Sequence, residues 1–342
     1  MSAPRLVVLR QTGLGDLLSG MPALRGIRRA FPEHRIRMTC ASLLVPLASR
    51  LEVADELVTE DRGAADPVEH ERADRSMLRR ALGDSDPPDV VVALRVPQPD
   101  VLDSLVRLGA RVLVAYGHPE VEASAGFPDF SFADHIVVRW ERLLDAAGIA
   151  TDRADLHVDL WPDRGRADAA HTLIHVGAGS PARCWPAERW SELARTLEAR
   201  GHRVVLTGSP GEAALVARVG RDAGLPPDRD VSAKTDVMAV AALVAGARLV
   251  LSCDTGIAHL AVALRRRSVT LFGAVPPSWW GPPPGCLLHR TLWKGRFGDP
   301  YAPQPDPGLL EISVDEVVDA ALEPGWPGGG DAYSCDFLSP VS

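Results

Sequence analysis

Seven short aliphatic runs recur along the chain, at residues 6–9, 90–94, 112–115, 173–176, 204–207, 249–252 and 269–272. They are rich in Val and Leu and do not alternate with polar residues. A strand with one face in water alternates, whereas a continuous apolar run suits a strand covered on both faces, as in a parallel sheet. The segments between these runs carry helical spacing instead. Trp190, Leu193 and Leu197 fall at i, i+3 and i+7. Val237, Val240, Ala241 and Val244 follow i, i+3, i+4 and i+7, as do Trp140, Leu143, Leu144 and Ala147. Strand–helix alternation predicts an α/β architecture with a crossover after each strand.

Two such series are visible, one from Arg5 to about Gly148 and a second from His171. The length of 342 residues agrees with two domains at roughly 100–200 residues each. Residues 150–170, with Trp161-Pro162-Asp163-Arg164-Gly165, read as a linker, so the expected domains are 1–160 and 161–324. Val314, Val317, Val318 and Leu322 predict a last amphipathic helix, and 325–342 read as a frayed tail. The Pro- and Gly-rich stretch 276–307 is too irregular to predict a strand or helix.

The net charge of −8 argues against a general nucleic-acid binder. No segment approaches the roughly 18 consecutive apolar residues of a membrane span, and no signal-peptide pattern opens the chain. Peripheral membrane contact stays open. The five cysteines Cys40, Cys184, Cys253, Cys286 and Cys335 are widely spread, with no CxxC pair. Unpaired thiols in a reducing, cytoplasmic setting are expected.

The chemistry-bearing residues follow strands. The first strand ends in Arg10-Gln11-Thr12-Gly13-Leu14-Gly15-Asp16. Gly13 and Gly15 let a ligand approach the backbone, but the dinucleotide fingerprint GxGxxG fails at Leu18, and Asp16 would repel a pyrophosphate at this helix start. Asp16 alone reads equally as a helix cap. The run His175-Val176-Gly177-Ala178-Gly179-Ser180-Pro181-Ala182-Arg183 is a Gly-rich loop with a cation, suited to an anion. Trp185 and Pro186 are expected to pack the next helix. After 204–207 comes Gly208-Ser209-Pro210-Gly211-Glu212, where Glu212 is placed to accept from ribose hydroxyls or to sit in a first helical turn. In Cys253-Asp254-Thr255-Gly256-Ile257-Ala258-His259, Thr255 can cap a helix whose first N–H groups face a diphosphate, with His259 close by. Each of these segments lies at the carboxyl end of a strand, where open α/β sheets bind ligands, and a cleft between two domains is the expected arrangement. Asp84-Ser85-Asp86 and Asp228-Arg229-Asp230 match DxD only formally, and no metal site or metal-dependent cofactor is expected.

In combination these pieces resemble glycosyltransferase family 9, the lipopolysaccharide heptosyltransferase-like family. The resemblance rests on Gly13-Leu14-Gly15-Asp16 with Pro22, Arg183-Cys184-Trp185-Pro186 with Trp190, Gly208 through Glu212, Asp254-Thr255-Gly256 with His259, and Leu271-Phe272-Gly273, in family order from about residue 5 to 320. It implies a GT-B fold of two Rossmann-like domains with parallel sheets facing across a cleft. It further implies an acceptor on the N-terminal half, a nucleotide-sugar donor (ADP-heptose in family members) on the C-terminal half, and metal-independent inverting transfer without a cofactor. By matching, Asp16 resembles the catalytic base. Arg183, Glu212, Asp254, Thr255, Gly256 and His259 resemble the donor site, with 233–236 near the adenine. Arg183 stands where the family usually has lysine, which changes a point donor into a fork. Arg265-Arg266-Arg267 replaces a stretch where members often carry proline, and is expected to be solvated.

Residues 1–160 hold 19 arginines against 25 acidic residues, a net of −6. A saccharide or small-molecule glycoside acceptor that is neutral or cationic suits this half better than a phosphorylated one. The competing expectations are a non-catalytic nucleotide-sugar-binding protein and a sugar-nucleotide epimerase of similar architecture.

Overall fold

The computed structural model describes residues 3–10, 13–60, 79–83, 87–161, 170–232, 234–324 and 326. Most of the linker motif, Asp84-Ser85-Asp86, Gln11, Thr12, Ala233, Cys335 and nearly all of 325–342 lie outside the described residues.

The chain forms two compact units, Met1–Leu156 and His157–Ser342. The first contains a five-stranded sheet of β1 Arg5–Arg10, β2 Arg35–Ala41, β3 Glu56–Glu60, β4 Val90–Leu94 and β5 Val112–Val114, in the order β3-β2-β1-β4-β5. The second contains β6 His171–His175, β7 Val204–Thr207, β8 Ala247–Cys253, β9 Ser268–Leu271 and β10 His289–Leu292, in the order β10-β9-β8-β6-β7. Every pairing is parallel. The continuous apolar runs are buried as their pattern requires: Leu6, Val7, Val8 and Leu9 are all at most 3% exposed.

The helices that matter for position are α1 Leu14–Ser19, α2 Met21–Ala30, α3 Pro99–Leu108 and α4 Ile136–Asp145 in the first unit. The second has α5 Ala187–Ala199, α6 Ala213–Ala223, α7 Val237–Ala245, α8 Gly256–Ala263 and α9 Val314–Leu322. Trp190, Leu193 and Leu197 on α5 are fully buried, in one cluster with Trp185, Leu251 and Val317. Trp185 meets Trp190 edge-on at 4.9 Å, and its indole N–H donates to the Ile312 carbonyl at 3.2 Å. The expectation that Trp185 packs the following helix is met.

Three strands were not visible as apolar runs. β2 begins with Arg35 and Arg37, whose guanidiniums pair with Glu56 of edge strand β3 at 3.2 and 2.8 Å. Side chains that pair at a sheet rim break the hydrophobic pattern. β10 corrects the reading of 276–307 as irregular: four residues there, His289–Leu292, pair with β9, and one-turn helices cover Pro277–Trp280 and Pro307–Leu310. The arginine run is also less solvated than expected. Arg265 is exposed, but the Arg267 guanidinium stacks over Trp326 at 5.8 Å and that of Arg290 at 4.1 Å. Cys40, Cys184 and Cys253 are free thiols, while Cys286 is disulfide-bonded, which corrects the expectation of unpaired thiols at that position. Among the described residues, no helix is long and apolar enough to cross a membrane.

Candidate active site

In a parallel sheet the chain leaves adjacent strands in opposite directions at one point, and the loops there open a crevice at the carboxyl ends. In the first sheet that point lies between β1 and β4, and in the second between β6 and β8. The predicted residues follow those strands.

In the first unit, Asp16 is half-buried on α1, three residues past the N-cap Gly13. Its Oδ2 accepts from the Gly13 N–H at 3.2 Å. A Cβ on Gly13 would stand 2.7 Å from that oxygen, so the glycine is there to let the carboxylate fold back. The capping and functional readings of Asp16 are therefore compatible: the cap holds the carboxylate in place. Below it lies Arg10, which sequence reasoning quoted only as part of the loop.

In the second unit, Arg183 follows β6 in the short turn Pro181–Arg183. Its Nη1 donates to the Asp254 carbonyl after β8 at 3.3 Å and lies 4.0 Å from Asp254 Oδ2. The Trp280 indole N–H donates to the same Oδ2 at 2.6 Å. Asp254 is only 3% exposed, and burial pushes its carboxyl above the usual range against the pull of Arg183. The Asp254 carboxylate is thus engaged by protein groups, and it steers Arg183. Trp280 was missed because its contact depends on the one-turn helix after β9.

Thr255 occupies the N-cap of α8 as expected, but its hydroxyl does not cap: Oγ1 is buried with no partner. The same holds for Ser180 Oγ and Arg183 Nε. Buried polar atoms are nearly always satisfied, so these orphans, in the loops that follow β6 and β8, are candidates to contact a polar ligand. Gly256 opens α8, and half-buried His259 lies in its first turns.

Glu212 closes a capping box, its Oε2 accepting from the Ser209 N–H at 2.7 Å. A Cβ on Gly177 would fall 1.9 Å from the Glu212 carboxyl carbon, so the two loops touch only because 177 is glycine. A Cβ on Gly208 would stand 2.7 Å from Val216, and one on Gly179 would stand 3.3 Å from the Arg183 guanidinium. His175, which the sequence marks only as the start of the Gly-rich run, is a further residue of interest. It ends β6 in register with Thr207 and Ser252, and its Nδ1 is buried without a partner. Burial lowers its pKa while Glu212 pulls the other way. Structure holds both other motifs of interest. Arg229 pairs with Glu198 at 3.1 Å, and Asp230 accepts from Ser232, so that DxD match is structural. Asp236 caps α7 by accepting from the Ala239 N–H at 2.8 Å. Among the described residues, no group of three or more His, Cys, Asp or Glu is arranged to hold a metal.

Two units, each built on a parallel five-stranded sheet, are the architecture of the GT-B fold. The model of Glycosyltransferase family 9 (heptosyltransferase) matches residues 131–285. Lipopolysaccharide heptosyltransferase 3 of Escherichia coli strain K12 is 26% identical over 305 residues, which are 83% of this chain and 86% of that protein. The family 9 glycosyl transferase of Veillonella parvula DSM 2008 has the same fold, with a TM-score of 0.70 at 20% identity over 93% of this chain and 96% of that one. E. coli heptosyltransferase WaaC, solved with ADP-2-deoxy-2-fluoro heptose, gives 0.65 at 20% identity over 94% and 100%. The chain is similar to glycosyltransferase family 9, the lipopolysaccharide heptosyltransferase-like proteins, in the matched segment, in its curated relatives and in its fold.

Proposed function

We propose that this glycosyltransferase moves a heptose from ADP-heptose to an acceptor hydroxyl with inversion at the anomeric carbon. The observation that carries the donor half is the trio of unpartnered polar atoms, Ser180 Oγ and Arg183 Nε in the turn after β6 and Thr255 Oγ1 at the N-cap of α8, with Arg183 bonded to the Asp254 carbonyl next to that cap. A diphosphate matches that chemistry: anionic oxygens would take the orphan donors, the helix dipole and the Arg183 fork. Glu212 then receives the ribose hydroxyls, and residues 234–236 lie toward the adenine. WaaC, of the same fold, was solved with an ADP-heptose analogue, and the curated relative is named for heptose transfer.

In the reaction Asp16 takes the proton of the acceptor hydroxyl as its oxygen attacks the anomeric carbon from the face opposite ADP. The bond from that carbon to the diphosphate oxygen breaks, and its electron pair leaves with ADP. Base assistance contributes about 10²–10⁴-fold. The remainder comes from holding the substrates in line and stabilising the departing diphosphate with Arg183, His259 and the first amides of α8. These groups supply the positive charge that a metal supplies elsewhere, so a chelator is expected to leave the rate unchanged. The N-terminal unit takes the acceptor, and its net acidity favours a neutral or cationic glycoside over a phosphorylated one.

Calorimetry against ADP, GDP and UDP tests the donor; preference for UDP would sink the ADP reading. ADP release from ADP-heptose with a panel of phosphorylated, dephosphorylated and amino-sugar acceptors tests transfer. A non-catalytic binder releases no ADP with any acceptor, and an epimerase changes the donor without one. Inversion is read from the anomeric configuration of the product.

A further inference from the structure

We infer that Arg10 is a positioning residue for Asp16, its buried guanidinium tying the first turn of α1 to the sheet so that the carboxylate keeps its aim. The inference rests on Asp16 acting as the base.

Arg10 ends β1 and is 4% exposed. Its Nη1 donates to the Leu94 carbonyl at the end of β4, at 2.9 Å. Its Nη2 donates to the Asp16 carbonyl and, at 3.3 Å, to Ser19 Oγ. One side chain therefore joins the two strands of the switch point to both ends of α1. Its own backbone is locked by Thr39, whose Oγ1 accepts from Arg10 N at 2.8 Å and donates to Arg10 O at 3.0 Å. Trp140 of α4 lies against the guanidinium at 4.9 Å.

This arrangement is unfavourable as a pure stability device. Among the described residues no carboxylate pairs with Arg10, and its Nε has no acceptor. Burial pulls the guanidinium down to about 10, Asp16 opposes that shift, and Arg139 adds to it. A desolvated cation without an ion pair costs stability. What the cation has in return is Asp16: it holds that residue's carbonyl and faces its charge.

Gly20 gives independent support. Its φ of −83° suits any residue, so backbone freedom does not explain the glycine. Space does: a Cβ there would stand 2.8 Å from Arg10 Nε and 3.1 Å from the Asp16 carbonyl. The absent side chain is the room the guanidinium occupies to reach Asp16.

The test measures kcat, KM for ADP-heptose and ADP affinity, with thermal melts as the folding control, using the acceptor that supports transfer in the panel above. The variants are Arg10→Lys, Gly20→Ala, Asp16→Asn and the Arg10→Lys/Asp16→Asn pair. Displacing a catalytic group by about an ångström costs on the order of 10²-fold. Arg10→Lys and Gly20→Ala are expected to lower kcat on that order, with KM for donor and ADP affinity unchanged. The double variant is expected to be no slower than Asp16→Asn, because Arg10 acts through Asp16; a general structural role would slow it further and would overturn the inference. Wild-type kcat in folded Arg10→Lys and Gly20→Ala, alongside an inactive Asp16→Asn, removes the Arg10 inference alone. Full transfer by Asp16→Asn removes the base reading and this inference with it. If Arg10→Lys does not fold, Gly20→Ala, which keeps the charge, decides.

Discussion

At the switch point of the first sheet, a half-buried carboxylate, Asp16, lies above a buried cation, Arg10. At the switch point of the second, the polarity is reversed. Arg183, its side chain 22% exposed, reaches to Asp254, which is buried. Two parallel α/β sheets thus present an anionic side chain at one switch point and a cationic one at the other. In each case the outer group is oriented by an inner one of opposite sign. The supports differ in kind. Arg10 works through backbone carbonyls, with no ion pair among the described residues, whereas Asp254 meets Arg183 by charge and Trp280 by a hydrogen bond. Two parallel five-stranded sheets that differ in strand order therefore leave the chemistry of each switch point to a few loop residues and to the charges placed beneath them.

The comparison breaks first, and by the largest margin, at Asp16. Asp16→Asn is expected to lower transfer by about 10²–10⁴-fold with ADP affinity intact. Loss of ADP affinity in calorimetry would show that the two units do not divide the labour as described. Gly177→Ala comes next. A methyl in the space of the Glu212 carboxylate forces that side chain out, and ADP affinity is expected to fall by about tenfold or more, at about 1.4 kcal/mol per decade. Full affinity would remove Glu212 from the donor site.

Asp254→Asn is the counterpart of the Arg10 variants. It keeps an acceptor for Trp280 but removes the charge that steers Arg183, so donor affinity is expected to drop about fivefold to tenfold, about 1–1.4 kcal/mol, the scale of one ordinary hydrogen bond. A fall in kcat at saturating donor, with affinity unchanged, would contradict the reversed arrangement.

The smallest effect expected is on stability, and it sharpens the contrast through the second unit's buried histidines. His289 bonds Ser268 Oγ at 2.9 Å, and burial pushes its pKa down to about 3; His171, His175 and His202 are also lowered by burial. A histidine whose folded pKa is depressed binds fewer protons folded than unfolded between the two values. Stability is then full above the ordinary value of about 6.5 and declines as the pH falls toward 3. Urea unfolding at pH 7 and pH 5 is expected to show a lower midpoint at pH 5, and a His289→Gln variant a shallower change. An equal change in both would assign the acid sensitivity to the other histidines.

Much of the site was legible because it is local. Gly13-Leu14-Gly15-Asp16 and Asp254-Thr255-Gly256 each sit within one strand-to-helix turn, and a turn's chemistry can be read from contiguous residues. Arg183 was legible as a cation in a Gly-rich loop, but not as a neighbour of Asp254, 71 positions away. Trp280 and β10 were illegible for the same reason: His289–Leu292 is a strand only because β9 offers an edge, and its own sequence, HRTL, carries no strand pattern. The disulfide at Cys286 lacked any spacing signal as well.

By itself the sequence determined the α/β class, the two-part plan and the Gly-rich turns at the strand ends, because apolar runs, helical periods and glycines act through neighbouring residues. Only the tertiary structure decided what lies under those turns. Arg10 below Asp16, Trp280 on Asp254 and the Glu212 carboxylate in the space of a missing Gly177 side chain all join residues from different elements. Burial there sets the value of each charge, and burial belongs to the packed fold rather than to any segment of the chain.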